Sequence, residues 1–411
     1  MAWKISQSPL CNKLFIAPGN SGTALCGVNV SLKPNDFPGI REFVRQEAVD
    51  MLVVGPEEPL VRGIADFFRK DESLKDLLLI GPTSAGARLE GSKAFAKSFM
   101  MRHGIPTAAY RSFTRETLEE GKRFLQEMAA PYVLKADGLA AGKGVIICDS
   151  LDEARDTLEE MLCDELFGQA SATVVVEAFL KGDEISVFAL TDGDSHVLLP
   201  SAKDYKRIGE GNSGPNTGGM GAVSPVPFAD HSFMEKVETR IIGPTIDGLK
   251  KEGIPYCGFI FFGLIKVEGD PYVIEYNVRL GDPEAEAILP RISSDFLELL
   301  VAAGRRELHR HRLTISPEHA ATVVLASGGY PGNYETGFPL LNLEDVKKSL
   351  VFHAGIRKEG GLLKTNGGRV LAITSLGGDL SRALQLSYES ARTVDFRGKY
   401  CRFDIGKDLL P

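Results

Sequence analysis

Three short apolar runs in the first fifth of the chain each end on chain-breaking residues. That recurrence limits the fold more than any other feature. Leu14-Phe15-Ile16-Ala17 runs into Pro18-Gly19-Asn20, Met51-Leu52-Val53-Val54 into Gly55-Pro56, and Leu77-Leu78-Leu79-Ile80 into Gly81-Pro82. Each run has strand length, and the stretches between them have amphipathic helical character. Strands alternating with helices imply βαβ units and a parallel sheet. Ligands of such sheets sit in the loops at the carboxyl ends of the strands.

Further along, Ser92 is a good N-cap for a helix over Lys93 to His103, with Gly104 at C′ and Pro106 beyond. A second unit then begins near Ile105-Pro106. It contains strands Tyr132 to Ala136 and Gly144 to Ile147 and an acidic helix from about Asp152 to Leu162, and two more strand-like stretches follow, Thr173 to Glu177 and Glu184 to Leu190. Residues 209–221 hold glycines at 209, 211, 214, 218, 219 and 221 plus Pro215, which reads as a mobile loop. A helix over Phe233 to Lys251 and strands at 258–267 and 272–278 follow, then a helix from about Pro283. The last hundred residues alternate short strands with Gly-rich turns and carry a helix near 379–391. No internal repeat is visible.

A net charge of −8 argues against a nucleic-acid binder, so any phosphate site must be a local pocket of Lys, Arg and glycine backbone. No apolar run approaches the roughly 20 residues needed to span a bilayer, and the N-terminus is not of signal-peptide type. Six widely spaced cysteines without a CxxC pair read as reduced thiols of a cytoplasmic protein. His309 and His311 lie in the charged run 305–312, which is most simply a solvated helix end or loop.

Four constellations carry chemistry. In Lys135-Ala-Asp-Gly-Leu-Ala-Ala-Gly-Lys-Gly-Val145 a strand enters a loop whose Gly138, Gly142 and Gly144 let backbone N–H groups approach phosphate, flanked by Lys135 and Lys143. It is not a P-loop, because a strand follows, and it also reads as a plain Gly-rich hairpin. Val174 to Leu180, followed by Gly182-Asp183-Glu184, is an apolar strand able to offer backbone to an adenine edge and carboxylates to a ribose, or simply a strand with acidic surface residues. In Tyr272-Val-Ile-Glu-Tyr-Asn-Val-Arg279-Leu-Gly-Asp-Pro-Glu284 the period of two puts Glu275, Asn277 and Arg279 on one face, opposite Ile274, Tyr276 and Val278. A carboxylate, an amide oxygen and a guanidinium suit Mg²⁺ bound to phosphates; a surface edge strand with an ion pair is the alternative. Asp282-Pro283 reads as the N-cap and first residue of a helix whose start is a further anion site. Ser201-Ala-Lys-Asp-Tyr-Lys-Arg207, feeding Gly214-Pro-Asn-Thr-Gly-Gly-Met-Gly221, suggests a lid over an anionic intermediate, or a disordered surface loop.

The order of these segments carries a resemblance. Gly91-Ser-Lys-Ala-Phe-Ala-Lys97, Leu134 to Val145, Gly214 to Ala222 and Glu275 to Glu284 together resemble the glycinamide ribonucleotide synthetase family of ATP-grasp ligases. Val54-Gly-Pro-Glu-Glu-Pro-Leu60, Ala326-Ser-Gly-Gly-Tyr-Pro-Gly332, Phe352-His-Ala-Gly355 and Thr365-Asn-Gly-Gly-Arg-Val370 extend it over nearly the whole chain. It implies an α/β and α+β multidomain protein: an ATP-grasp fold with a truncated Rossmann-like N-terminal domain and a small, mostly β C-terminal domain. The expected division is 1–88, 89–178, 179–312 and 313–411. The implied reaction joins glycine to 5-phosphoribosylamine through glycyl phosphate, with ATP and Mg²⁺ (or Mn²⁺), small-molecule partners only, in a cytoplasmic monomer.

The resemblance also implies roles. Lys93 and Lys135 hold ATP phosphates; Glu177, Phe179 and Leu180 form the adenine hinge; Glu184 holds the ribose; Glu275 and Asn277 bind the metal. Arg279, Asp282 and Glu284, with Asp204, Lys206 and Arg207, lie near glycine, the amine and the transferred phosphoryl. Family members open on a strand and a GxGGREHA-type loop for the sugar phosphate, whereas this sequence opens at Met1-Ala-Trp-Lys, in what resembles the helix after that loop. A mis-assigned start is the expectation. Other expected departures are Ser201-Ala-Lys-Asp-Tyr-Lys in place of a Gln-Asp-His-Lys run, and Glu286 where Gln is common. The alternatives are an ATP-grasp ligase for another carboxylate–amine pair and a nucleotide-binding protein without turnover. A Rossmann dehydrogenase is disfavoured, since no GxGxxG follows an N-terminal strand.

Overall fold

The chain opens on short parallel strand pairs, as the apolar runs require. In the computed structural model, which describes residues 1–139, 144–164 and 166–410, Phe15–Ile16 pairs with Val28–Asn29 and Met51–Val53 with Leu78–Ile80. The two pairs are separate rather than one continuous sheet. Helices fill the connections, and two are opened by side-chain caps: Asp36 accepts from Gly39 N–H ahead of Phe37–Gln46, and Thr83 caps Ser84–Gly91. The helix Lys93–Arg102 starts on Ser92, whose Oγ accepts from Phe95 N–H at 3.1 Å. It stops at Gly104, which takes the left-handed φ of 64° that a C′ residue needs.

Two antiparallel sheets flank this helix. The first has strand order Tyr110–Thr114, Thr173–Ala178, Tyr132–Ala136, Val145–Cys148, and is covered by helices Leu118–Glu127 and Leu151–Cys163. Phe113, Leu125, Leu134, Leu158 and Val176 close that small core. The second has the order His196–Leu198, Asp183–Thr191, Gly258–Val267, Asp270–Asn277. Its Ile260, Phe262 and Val273 share a core with Leu60, Phe68 and Phe99 of the N-terminal helices and with Ile241 and Ile246 of the long helical stretch 231–251. That stretch contains a π turn at Glu238–Ile242. The two sheets meet where Val273 N–H donates to Pro106 O at 2.8 Å and Thr107 Oγ1 donates to Val273 O at 2.7 Å.

The C-terminal strands His319–Ser327, Arg369–Gly377 and Leu350–His353 form an antiparallel sheet under helix Leu380–Thr393, as their pattern suggests. The sheet does not stop at these strands. Gly221–Ser224 pairs with His319–Ser327, and Lys203–Asp204 pairs with Gly221–Ser224. Tyr205, Met220 and Val223 are therefore buried in the C-terminal core. The expected irregular loop at 209–221 is consequently corrected. Arg207–Gly209 and Ser213–Asn216 form a hairpin, and the segment ends in a buried strand. Glycine content signalled a loop, but strand pairing outweighed it.

Phe262 is fully buried and meets Tyr276 edge to face, with centroids 5.5 Å apart. Phe262→Ala should lower unfolding stability by about 3–5 kcal/mol, read as a fall in the urea midpoint at unchanged slope; a loss under about 1 kcal/mol would show that the sheet core is not laid out this way.

Candidate active site

The strand Tyr132–Ala136 is buried along its whole length, so the charge on Lys135 needs a partner. Glu177 lies two register positions away on the adjacent antiparallel strand, on the same face. Lys135 Nζ sits 3.0 Å from Glu177 Oε2 and also donates to Ile274 O at 3.2 Å. A second lysine reaches the same oxygen: Lys97 Nζ is 2.8 Å from Glu177 Oε2 and donates to Thr107 Oγ1 at 2.7 Å. All three side chains are nearly sealed from solvent, at 2% (Lys97), 4% (Glu177) and 6% (Lys135) exposure. Burial pulls the Lys97 ammonium down to about 8, against the opposing pull of Glu177. Two cations on one carboxylate leave an excess positive charge, and among the described residues Glu177 Oε1 is buried without a partner. The excess positive charge favours an anionic ligand.

Lys93 points into the same space and donates to Gly138 O at 3.1 Å. Asp137 locks the Gly-rich turn onto the helix start, accepting from Ala94 N–H at 2.6 Å and from Ser92 Oγ at 3.1 Å. Gly144 O accepts from Ala136 N–H, closing the strand end. Gly142 and Lys143 lie outside the described residues. Phe179 and Leu180 follow the strand Thr173–Ala178, Phe179 exposed and Leu180 half-buried.

The other wall is the strand Asp270–Asn277. Its alternation departs from the expected one at Ile274, an unpaired bulge residue between Val273, opposite Leu264, and Glu275, opposite Gly263. Val273, not Ile274, is buried with Tyr276 and Val278, while Glu275, Asn277 and Arg279 share the half-buried face as expected. Arg279 spans Glu57 at 3.3 Å and Glu90 at 3.2 Å and donates to Asn277 Oδ1 at 3.5 Å. Glu90 also accepts from Val278 N–H at 2.8 Å. Burial lifts its carboxyl to about 7, although Arg279 pulls it down.

Opposite stand Glu184, Asp204 and Lys206. Lys206 Nζ is 2.9 Å from Glu184 and 4.0 Å from Asp204. Burial opposes the Lys206 charge, yet Asp204, Glu184 and Glu275 together hold its ammonium well above the ordinary range. Lys206 in turn depresses the Glu184 carboxyl. Burial raises Asp204, and it lifts Glu284 to about 7 beside the Asp204 charge. Glu284 accepts from Ser186 Oγ at 3.0 Å.

Asp282 is not the helix cap that its Asp-Pro context suggests. Arg369 of the C-terminal sheet takes its carboxylate in a bidentate pair, both contacts 2.9 Å. The helix that follows, Glu284–Ile288, has no side-chain cap and is too short for an anion site of its own. Lys97, Glu57, Glu90 and Arg369 were not singled out from sequence. Lys97 had one available signal, its spacing of four from Lys93 on one helix face.

Glu275 and Asn277 present hard oxygens beside the lysines, and no group of three or more His, Cys, Asp or Glu converges among the described residues. That donor set fits a small divalent cation completed by phosphate oxygens and water, not an all-protein cage.

Comparison with known proteins places this geometry. The family described as phosphoribosylglycinamide synthetase matches in three parts: its N domain over residues 1–90, its ATP-grasp (A) domain over 91–285 and its C domain over 320–408. The chain belongs to the phosphoribosylglycinamide synthetase family. It is 45% identical to a phosphoribosylamine–glycine ligase of Chlorobaculum tepidum, over 100% of this chain and 97% of that one. It is 43% identical to one of Escherichia coli, over 99% and 95%. The crystal structure of phosphoribosylamine–glycine ligase from Thermotoga maritima superposes with a TM-score of 0.86 at 36% identity, covering 98% of this chain and 96% of that one. A biotin carboxylase domain of Hydrogenobacter thermophilus, solved with MgADP, shares the fold at a TM-score of 0.67 and 18% identity, over 91% and 82%. The expected ATP-grasp fold is thus present. No helix among the described residues is long and apolar enough to cross a membrane.

The raised Glu284 carboxyl has a consequence for stability. Between its ordinary value of 4.5 and about 7, the folded chain holds a proton that the unfolded chain has released. Its contribution is therefore complete below 4.5 and lost as the pH rises through about 7. Glu284→Gln should flatten the decline of unfolding free energy across that window by up to about 3 kcal/mol; parallel curves for the two proteins in urea titrations would refute the assignment.

Proposed function

We propose that this chain joins the carboxylate of glycine to the amine of 5-phosphoribosylamine at the expense of ATP, giving glycinamide ribonucleotide, ADP and phosphate in the second step of de novo purine synthesis. The observation that carries the reading is the convergence, in a member of this family, of Lys93, Lys135 and Lys97 on one wall of a cleft with Glu275, Asn277 and Arg279 on the other.

ATP lies between the two sheets, its phosphates against Lys93 and Lys135 and the turn at Gly138, its base along Glu177, Phe179 and Leu180, and its ribose at Glu184. Glu275 and Asn277 hold Mg²⁺ or Mn²⁺, which supplies charge neutralisation to the phosphates when bound. A glycine carboxylate oxygen attacks the γ-phosphorus, the bond to the β-γ bridging oxygen breaks, and ADP departs. The amine nitrogen then attacks the carbonyl carbon of glycyl phosphate, phosphate leaves, and the nitrogen loses a proton. Little covalent help is needed, because this transfer is driven by positioning and charge. Arg279 and Lys206 stabilise the transferred phosphoryl, with Arg279 oriented by Glu57 and Glu90. Asp204 and Glu284, whose carboxyls burial holds above the usual range, are suited to receive the amine's proton. Asp282, fixed by Arg369, lines the amine side. The substrates are small molecules, and the net charge of −8 fits a cytoplasmic monomer that does not bind nucleic acid.

ADP release with Mg²⁺, ATP, glycine and freshly generated phosphoribosylamine should require every component. Release that persists without glycine or without the amine would redirect the reading to another carboxylate–amine pair. Asn277→Ala should raise the metal concentration for half-maximal rate by about 10–100-fold, measured by metal titration, with an unchanged requirement speaking against a ligand role. Arg279→Lys keeps the charge but loses the fork held by Glu57 and Glu90; kcat should fall by about 10²–10³, and retention of full kcat would remove Arg279 from the chemistry.

A further inference from the structure

The segment carrying Asp204, Lys206 and Arg207 is gripped by a stretch nearly two hundred residues later. Strand Lys399–Tyr400 leaves the edge of the C-terminal sheet, and the chain then runs alongside the hairpin 207–216. Arg402 is the centre of the contact. Its side chain is 1% exposed. Its Nε and Nη2 take both oxygens of Asp404, at 2.8 and 2.7 Å. The remaining donors reach both ends of the hairpin turn: Nη1 donates to Arg207 O at 2.9 Å and Nη2 to Asn212 Oδ1 at 3.1 Å.

Neighbouring residues extend the grip. Asp404 Oδ2 accepts from Gly211 N–H at 2.8 Å, Phe403 N–H donates to Glu210 Oε1 at 3.0 Å, and Tyr400 OH donates to Ile208 O at 2.8 Å. Gly211 and Asn212 both have left-handed φ, 65° and 54°, the pairing of a type I′ hairpin turn. Just inside, Tyr205 and Lys203 both engage Asp408. Residues 211–216 are exposed, so apolar packing does not order the hairpin tip. Its order comes from its own strand pairing, from the Arg207 Nη1 bond to Gly214 O at 2.8 Å and from the polar bonds to the tail.

We propose that Arg402 is a positioning residue: with Asp404 it straps the hairpin 207–216 into shape and so holds the adjoining Lys206 where the reaction uses it. A buried guanidinium is costly unless its donors are used. Here it spends two donors on the catalytic segment. A glycine-rich segment that would otherwise sample many conformations then meets its substrate already ordered, which preserves the near-attack geometry. The kinetic half of this inference rests on the proposed function; the ordering half does not.

The test uses the full chain and two readouts. Trypsin cleavage at Lys206 and Arg207 in the absence of substrate reports the strap. Arg402→Met and Asp404→Asn should each speed it about tenfold, since local opening there no longer breaks these bonds. In ADP release, both should lower kcat by about 10–100-fold with a smaller rise in KM for ATP, because the phosphate-binding Lys93 and Lys135 are untouched while the Lys206 partner Glu184 is not. Arg402→Lys keeps the charge without the fork and should fall between. Val394→Ala, a cavity at a fully buried residue of the same C-terminal core, controls for general loosening. Equal cleavage in wild type and Arg402→Met, or the same acceleration in Val394→Ala, would overturn the strap. Faster cleavage with intact kcat would overturn its part in positioning. If wild type releases no ADP with both substrates, the proposed function fails, and cleavage alone decides the strap.

Discussion

Two buried lysines sharing one carboxylate oxygen is the constraint around which the cleft is assembled. Lys97 belongs to the helix Lys93–Arg102, Lys135 and Glu177 to neighbouring strands of one sheet, and the partners of the lysines, Thr107 and Ile274, tie in the linker and the second sheet. Removing Glu177 strands two ammonium groups in a site with almost no solvent, which costs far more than loss of an exposed pair would. The arrangement therefore fixes the relative placement of three elements before any ligand arrives. It also leaves the site electropositive in a chain of net charge −8, which is how an acidic protein attracts polyanions.

A second organising choice is that the segment carrying Asp204 and Lys206 is not built on the sheet that carries Glu275 and Asn277. Lys203–Asp204 and Gly221–Ser224 add to the sheet of strands 319–327 and 369–377. Arg369 of that sheet reaches back to Asp282 and Gly218 O. Gly219 has φ 109°, and a Cβ there would lie 2.3 Å from Pro283, so the backbone passes the Asp282 turn at a distance only glycine permits. The C-terminal domain is thus a wall of the site rather than an appendage.

Local chemistry was readable from sequence wherever one short segment contains both cause and effect. Ser92 capping its helix, Gly104 ending it, and Glu275, Asn277 and Arg279 sharing a face all follow from neighbours within a few positions. Long-range pairings were not readable. Nothing in Gly221-Ala-Val-Ser224 announces that Ala320 to Val323 lie beside it, and the density of glycine around it pointed to a loop. Lys97, Glu90 and Arg402 look like ordinary surface residues in sequence; each is buried only because a partner arrives from a distant part of the chain. Asp282 failed in the opposite direction: its local signal was a good cap, but Arg369 makes a better, bidentate partner.

The bulge at Ile274 shows what a strand can contribute apart from its side chains. Counting through it, Val273 and Tyr276 remain on the buried face and Glu275 and Asn277 on the cleft face, so the alternation would survive intact in a strand one residue shorter. The surplus residue serves no packing need of its own sheet. What it adds is a carbonyl turned out of the ladder, and that carbonyl is the one on which the Lys135 ammonium rests. Here the chain has gained a ligand by length alone, at a position where any amino acid would supply the same atom.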